Sequence, residues 1–254
     1  MGKTLVFGTS GFLGAEFLRR YPDLVSVGRT KPMDDITSEH IYLESMDKLW
    51  VLDGMDIDNV IFLIGNSNHH YLNGHGTKAM EYNVEPLKKA LDFFKDKKLK
   101  HFVFFTTILL YGNKPKDRRV HEMDEIFPYQ NEYIFSKYMS EQIGNYYAYK
   151  YGMNIINVRI SNIYGACTLD RPDLIPQLIK DCITKNEPTV WNKSPIRDFI
   201  YTDDAVDAIM MLLETDFDGI VNLGSGTMSS VAEICWILES LSGKTIKSLD
   251  IPVT

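Results

Sequence analysis

Lys3-Thr4-Leu5-Val6-Phe7-Gly8-Thr9-Ser10-Gly11-Phe12-Leu13-Gly14 opens the chain with a short apolar run that passes into three glycines at three-residue spacing and then into helix-forming residues. A strand, a glycine-rich turn and a helix start are what the pyrophosphate of a dinucleotide requires. In that role Gly8 makes the tight turn, Gly11 lets the backbone approach the phosphates, and Gly14 lets helix and strand pack closely. The N–H groups opening the helix at Phe12 and Leu13 then face the anion. An ordinary glycine turn at a strand end is the simpler reading, and the residues that follow weigh against it.

Outward from that turn the chain alternates. Residues 5–7, 24–27, 60–64, 101–106 and 154–160 read as short buried strands separated by helical segments, the pattern of a parallel sheet covered on both faces. Residues 83–99 are expected to form one helix. Val84, Leu87, Leu91 and Phe94 fall at intervals of three and four, Asn83 stands where a cap belongs, and Pro86 sits in the first turn. The lysine-rich run at 95–100 reads as a solvated face. Helices are further expected at 174–185, 203–213 and 231–241, with a strand at 219–223.

Two more segments carry chemistry. Phe104-Phe105-Thr106-Thr107-Ile108-Leu109-Leu110-Tyr111-Gly112 ends a strand on a hydroxyl, and Tyr133-Ile-Phe-Ser-Lys137 puts a phenol and an ammonium one helical turn apart, on one helix face. A tyrosine, which ordinarily titrates at about pH 10, is a poor acid/base at neutral pH, but a nearby ammonium favours its phenolate. The spacing alone is weak, because Tyr138, Tyr146, Tyr147, Tyr149 and Tyr151 crowd the same region.

Composition excludes other classes. A net charge of −7 and a pI near 5.4 leave no basic surface for DNA or RNA. The three cysteines, Cys167, Cys182 and Cys235, are far apart and odd in number, which fits reduced thiols in a cytoplasmic protein. There is no apolar run of membrane length and no N-terminal signal, since the first residues already read as strand.

Taken in order, these motifs resemble the extended short-chain dehydrogenases/reductases, which include nucleotide-sugar 4-epimerases, 4,6-dehydratases and 4-keto-sugar reductases. The likeness runs from Gly8 to about Ala232. It includes Val60-Ile-Phe-Leu-Ile64, Asn83-Val84, Arg159-Ile-Ser-Asn162-Ile-Tyr164-Gly165, Ile196-Arg197-Asp198-Phe199-Ile-Tyr-Thr-Asp203-Asp204 and Asn222-Leu-Gly224-Ser-Gly226. It implies an α/β fold with a Rossmann-type doubly wound parallel sheet in residues 1–163. A small substrate lobe, interleaved with the first part, is implied for 164–254. Residues beyond Thr254 are also implied, so the lobe is expected to be short or trimmed.

The resemblance assigns roles. Thr107, four residues before the Tyr of Tyr-Gly, would hydrogen-bond the sugar oxygen. Tyr133 would exchange a proton with it, and Lys137 would hold the nicotinamide ribose while tuning Tyr133. Leu63 and Asn83 would lie along the cofactor, and Asn162 and Arg197 would contact the substrate's diphosphate or sugar. Simpler roles stand beside these: a strand-end cap for Thr107, a turn residue for Asn162, a partner of Asp198 for Arg197.

Cofactor choice turns on the end of the second strand. NAD-binding forms carry an acid there for the ribose 2′-hydroxyl, whereas Leu24-Val-Ser-Val-Gly28-Arg29 ends on a base able to clamp a 2′-phosphate, with Thr9 and Ser10 as neutral donors. NADP(H) is the expectation and NAD(H) the alternative, in which Asp34 or Asp35 folds back onto the hydroxyl.

Relatives that dehydrate follow the catalytic Thr with Asp and Glu. Here Ile108 and Leu109 stand in those places, and neither carries a proton. What remains is hydride transfer at a sugar carbon, C4 by resemblance. The expectation is an NADPH-dependent 4-keto-sugar reductase. An NAD-dependent nucleotide-sugar 4-epimerase is the alternative, and a non-catalytic dinucleotide-binding sensor or scaffold the remote one. His69, His70 and His75 lie in a loop expected over 66–78, without a nearby carboxylate or thiolate pair, so no metal is expected. The family often dimerises through the helices that here start at Asn83 and Glu132, and a homodimer is expected.

Overall fold

The structure, a computed structural model, describes residues 2–33, 35–112, 119–166, 171 and 173–251. In chain order the elements are β1 (Lys3–Phe7), α1 (Phe12–Arg20), β2 (Val25–Gly28), β3 (His40–Tyr42), β4 (Ile57–Phe62), α2 (His69–Leu72), α3 (Gly76–Asn83), α4 (Glu85–Phe94), β5 (His101–Thr107), α5 (Glu132–Tyr151), β6 (Ile155–Ile160), β7 (Asn162–Tyr164), α6 (Leu174–Thr184), β8 (Thr189–Val190), β9 (Ile196–Tyr201), α7 (Thr202–Leu212), β10 (Gly219–Leu223), β11 (Met228–Ser230), α8 (Val231–Ser242) and β12 (Lys247–Ser248). Short 3-10 turns cover Met46–Leu52 and Ile108–Tyr111.

The chain divides into two compact units, Met1–Ile160 with Asp203–Leu223, and Ser161–Thr202 with Gly224–Thr254. The first unit holds a seven-stranded sheet in the order β10-β6-β5-β4-β1-β2-β3, with every neighbouring pair parallel. It is a Rossmann-type doubly wound sheet. The chain builds outward from β1 through β2 to β3, then returns to β4 and builds the other way, so the order reverses between β1 and β4. A parallel sheet opens a ligand crevice at the carboxyl ends of its strands at such a point.

Strand alternation sorts the core into two layers. Leu5, Phe7, Val60, Phe62, Phe102, Phe104 and Ile155 face Leu87, Leu91 and Phe94 of α4 and Tyr147 of α5. Val6, Ile61, Val103, Ile156 and Val158 face Phe17 and Leu18 of α1 and Val206 and Ile209 of α7. Successive side chains point to opposite faces, so a near-continuous apolar run such as Leu5-Val6-Phe7 feeds both layers. Each such buried side chain stabilises the fold by about 1.5–3 kcal/mol.

The expected helix over 83–99 is two helices. Pro86 lies at the start of α4 and has no N–H to donate, and the chain breaks at Val84, where α3 ends and α4 begins. Asn83 is therefore the last residue of α3 rather than an N-cap. The segment expected as a loop over 66–78 contains α2 and the start of α3. The lysine run is more engaged than a solvated face: Lys95 reaches Asp92, Lys97 reaches Asp53, and Lys100 reaches Asp58.

In the second unit β9 pairs parallel with β7 and antiparallel with β11, and β8 pairs with β12. Its own core joins Leu178 and Cys182 of α6 to Val190, Val231, Cys235 and Ile246. Cys182 and Cys235 are free thiols, and Cys167 lies outside the described residues.

Candidate active site

The glycine turn after β1 is built by exclusion of side chains. Gly8 has φ of +85°, a backbone that L residues rarely adopt, and a Cβ there would stand 3.0 Å from the Leu63 carbonyl carbon. A Cβ on Gly14 would collide with the Gly8 carbonyl oxygen and approach the Thr9 Cα to 2.7 Å. Helix α1 thus sits directly on the turn at the β1/β4 switch point. Its N-cap, Gly11, makes no side-chain cap bond, and its first turn holds no acid. A cradle kept clear of Cβ atoms, beneath a helix N-terminus without a side-chain cap, fits a dinucleotide pyrophosphate.

Around that cradle the expected cofactor residues divide. Ser10 is exposed in the turn, and Arg29 is exposed one residue beyond β2. The Thr9 side chain is turned inward. Its buried hydroxyl stands 2.6 Å from Ser26 Oγ, which in turn stands 2.8 Å from His40 Nδ1. Burial, and then the charge of Lys31, lower the pKa of His40. Of the two acids proposed to fold back onto a ribose hydroxyl, Asp35 is taken by Arg19 at 3.2 Å, and Asp34 lies outside the described residues.

On the other side of the switch point, β5 ends at Thr107. Thr107 caps the following 3-10 turn, its Oγ1 accepting from Leu109 N at 3.2 Å. Helix α5, capped by the Asn131 side chain, presents the small residues Ser136, Ser140 and Gly144 among its buried positions. A Cβ on Gly144 would stand 2.7 Å from the Phe104 ring, so α5 lies close against β5. This approach carries Lys137 to the strand end, where its Nζ donates to the Phe105 carbonyl at 3.2 Å. Burial lowers the pKa of its ammonium from 10.5 to about 8. At pH 7 such a group is still mostly cationic. Tyr133, one turn earlier, is buried in a cluster with Leu72, Ala79, Ile134 and Leu110, the last in the turn that Thr107 caps.

Asn83 joins these parts. Its Oδ1 accepts from Asn66 N at 2.7 Å, and its Nδ2 donates to Ser136 Oγ at 2.9 Å, while Ser136 donates to the Tyr133 carbonyl at 2.7 Å. A Cβ on Gly65 would stand 2.9 Å from Asn83 Oδ1 and 3.5 Å from Lys137 Nζ. Gly65 and Ser136 were missed in the sequence. The signal for Gly65 is a glycine directly after the apolar run of β4, where backbone must pass close to polar side chains. Thr107, Tyr133, Lys137, Asn83, Leu63 and the glycine turn therefore all belong to one unit, at or near the carboxyl end of its sheet.

Asn162 and Arg197 belong to the second unit. Asn162 is in register with Phe199, so it shares a sheet face with Arg197, two residues before Phe199 on the neighbouring strand. Its Nδ2 donates to the Asp198 carbonyl at 3.0 Å. Arg197 is not the ion-pair partner of Asp198. That carboxylate accepts from Ser225 N and Gly226 N, both at 2.8 Å, and holds the 224–226 turn. Among the described residues no carboxylate pairs with Arg197, and burial lowers its pKa. A half-buried guanidinium without an acid can accept an anion as partner.

Among the described residues no group of three or more potential metal ligands gathers, and no helix is long and apolar enough to cross a membrane. The side chains of His69 and His70 lie outside that description.

Comparison with known proteins places this geometry. The chain is 27% identical to the CDP-abequose synthase of Salmonella typhimurium over 83% of its own length and 69% of the relative's. It is 26% identical to the UDP-glucuronate 4-epimerase of Thermodesulfobacterium geofontis over 97% of its own length and 83% of the relative's. Its fold superposes on the UDP-N-acetylglucosamine 4-epimerase of Methanobrevibacter ruminantium with a TM-score of 0.87 at 19% identity, covering 99% of this chain and 86% of that one. The NAD dependent epimerase/dehydratase family matches residues 4–224. The chain belongs to that family of enzymes, the extended short-chain dehydrogenases/reductases.

Proposed function

We propose that this enzyme transfers a hydride at a carbon, C4, of a nucleotide-diphosphate sugar, and that it works as an NADPH-dependent 4-keto-sugar reductase. The observation that carries the reading is the convergence of Lys137 Nζ and Asn83 Oδ1 on Gly65, beside the strand end that bears Thr107. The names of the relatives, which include both a CDP-sugar synthase and UDP-sugar epimerases, support the substrate class.

When bound, the nicotinamide supplies the hydride. The chain's own residues do the rest. The Thr107 hydroxyl holds the carbonyl oxygen of the keto sugar. The Tyr133 phenol gives its proton to that oxygen as the alcohol forms, and the Lys137 ammonium stabilises the phenolate left behind. Arg197 holds the diphosphate and Asn162 contacts the sugar, which makes the second unit, Ser161–Thr202 with Gly224–Thr254, the substrate-binding part. Ile108 and Leu109 offer no proton carrier for elimination of water. Arg29 favours the 2′-phosphate of NADP(H).

The test is cofactor content after purification, followed by incubation with a panel of 4-keto nucleotide sugars and NADPH. Stoichiometric NADPH consumption supports the reductase. Tightly held NAD with sugar interconversion and no net NADPH consumption establishes the alternative, a 4-epimerase. A homodimer through α4 and α5 also belongs to this proposal, with the exposed Tyr146 and Tyr149 of α5 available to a second copy. Sedimentation at a single monomer mass would remove it.

A further inference from the structure

Glu141 and Arg159 form an ion pair whose side chains are 1% and 4% exposed. Nothing in the hydride-transfer chemistry uses either charge. Arg159 Nε donates to Glu141 Oε1 at 2.9 Å and Nη2 to Oε2 at 2.8 Å, a two-pronged fork that fixes both distance and angle. The third edge of the guanidinium reaches elsewhere. Nη1 donates to the Tyr111 hydroxyl at 2.8 Å and to the Glu122 carbonyl at 3.2 Å, and the Tyr111 ring lies 5.0 Å from the guanidinium carbon. Tyr111 in turn donates to Asn222 Oδ1 at 2.7 Å, and Asn222 N donates to Glu122 Oε1 at 2.8 Å. Glu141 Oε1 also lies 2.8 Å from Thr106 Oγ1, which has Asn157 Oδ1 at 2.9 Å as its other acceptor. One guanidinium thus ties α5, the end of β5, the turn after it, the 120–122 segment and β10.

The placement of this fork is specific. Tyr133, Lys137 and Glu141 recur every four residues and share a face of α5. Thr106 precedes Thr107, and Tyr111 closes the turn that Thr107 opens. Thr107 is therefore flanked on both sides along the chain by residues bonded to the pair, and the pair is built on the helix that carries Tyr133 and Lys137. Burial alone does not call for charges here, because apolar side chains of similar volume fill such a space without loss of stability. They would not resist sliding or rotation of α5 along β5, which directional bonds do.

We propose that the Glu141–Arg159 pair is a positioning element that sets the height and rotation of α5 against the end of β5, and so sets Tyr133 and Lys137 relative to Thr107. This rests on the catalytic reading of those three residues. Tyr111 extends the same hold to β10.

The test compares the parent enzyme with the double variant Glu141→Leu/Arg159→Met, which removes both charges together, and with Tyr111→Phe, which removes one oxygen. The expected double variant folds, binds NADPH within about threefold of the parent, and loses about tenfold or more in kcat, because small misplacements of reacting groups cost that much or more. A folded double variant with kcat and KM within about twofold of the parent overturns the proposal. If the double variant does not fold, Tyr111→Phe decides: a kcat lowered by about threefold or more at constant KM supports the proposal, and an unchanged kcat overturns it. A second readout needs no substrate. The Tyr133 phenol, followed by carbon-13 tyrosine NMR and assigned with Tyr133→Phe, is expected to shift its titration midpoint in Tyr111→Phe by roughly half a pH unit or more as α5 moves against the end of β5 and changes the burial and hydrogen bonding of the hydroxyl. An identical midpoint overturns the proposal. A parent enzyme without hydride transfer would defeat the functional reading while leaving this titration to judge the geometry.

Discussion

Arg159 is buried and Arg197 half-buried, and they carry their charge in opposite ways. For Arg159 burial works against the charged form, but the hydrogen bond and charge of Glu141 outweigh it and leave its pKa raised. For Arg197 burial acts without such an offset and the pKa is lowered. The first arginine has a partner inside the protein and holds secondary structure in place. The second has no carboxylate partner among the described residues, and the proposed function gives it the anion that arrives with the substrate. Compensation, rather than burial, separates the two arginines.

The sharpest way to break this contrast is to remove each charge alone. Arg159→Met leaves Glu141 buried and unpaired, and is expected to cost about 3–5 kcal/mol in urea or thermal unfolding. Arg197→Met leaves no carboxylate behind and is expected to unfold within about 0.5 kcal/mol of the parent. Equal losses in the two variants would remove the distinction. In steady-state kinetics Arg197→Met should instead raise KM for the nucleotide sugar by about 10–100-fold with a smaller change in kcat, as expected for the loss of charge-assisted bonds to a diphosphate. An unchanged KM would take Arg197 out of the binding site.

A third cation, Lys137, gives the contrast a pH dependence. Its folded pKa of about 8 lies below its ordinary 10.5. Between these values the unfolded chain holds a proton that the folded chain has released, so this group's contribution to stability rises with pH through that window. In the proposed mechanism activity runs the other way, because there the ammonium stabilises the Tyr133 phenolate. Turnover is expected to fall about tenfold per pH unit above about 8, while the unfolding free energy does not fall for this reason. A flat rate profile from pH 7 to about 10 would contradict the role given to the ammonium.

The smallest effect is expected at Arg29, which is exposed. Arg29→Ala should reduce the preference for NADPH over NADH by about three- to fivefold, the scale of a surface ion pair. No change in the ratio would leave the 2′-phosphate without its reader.

What the sequence showed follows from the range of the interactions involved. The glycine turn, the buried strands and the Tyr133/Lys137 spacing are local patterns, and each stands where periodicity and turn chemistry put it. The strand at 219–223 was legible to the residue, because a short apolar run with a glycine before it has few other readings. The break at Val84 was signalled by Pro86 but overruled by the apolar spacing on either side of it. Other features depend on partners far away in the chain. Thr9 is bonded to Ser26, Asn83 is held by Asn66 and Ser136, and Asp198 serves the 224–226 turn. The short strands β3, β7, β9 and β11 likewise take their form from neighbours that no local window contains.

The central claim is that Tyr133 is the proton donor in a hydride transfer aided by Thr107 and Lys137. Its most direct measurement is NADPH consumption with a 4-keto nucleotide sugar by the parent and by Tyr133→Phe, together with the NADPH affinity of each. The account predicts that the variant binds NADPH within about twofold of the parent and turns over about a thousandfold more slowly. Turnover by Tyr133→Phe within about tenfold of the parent would contradict it.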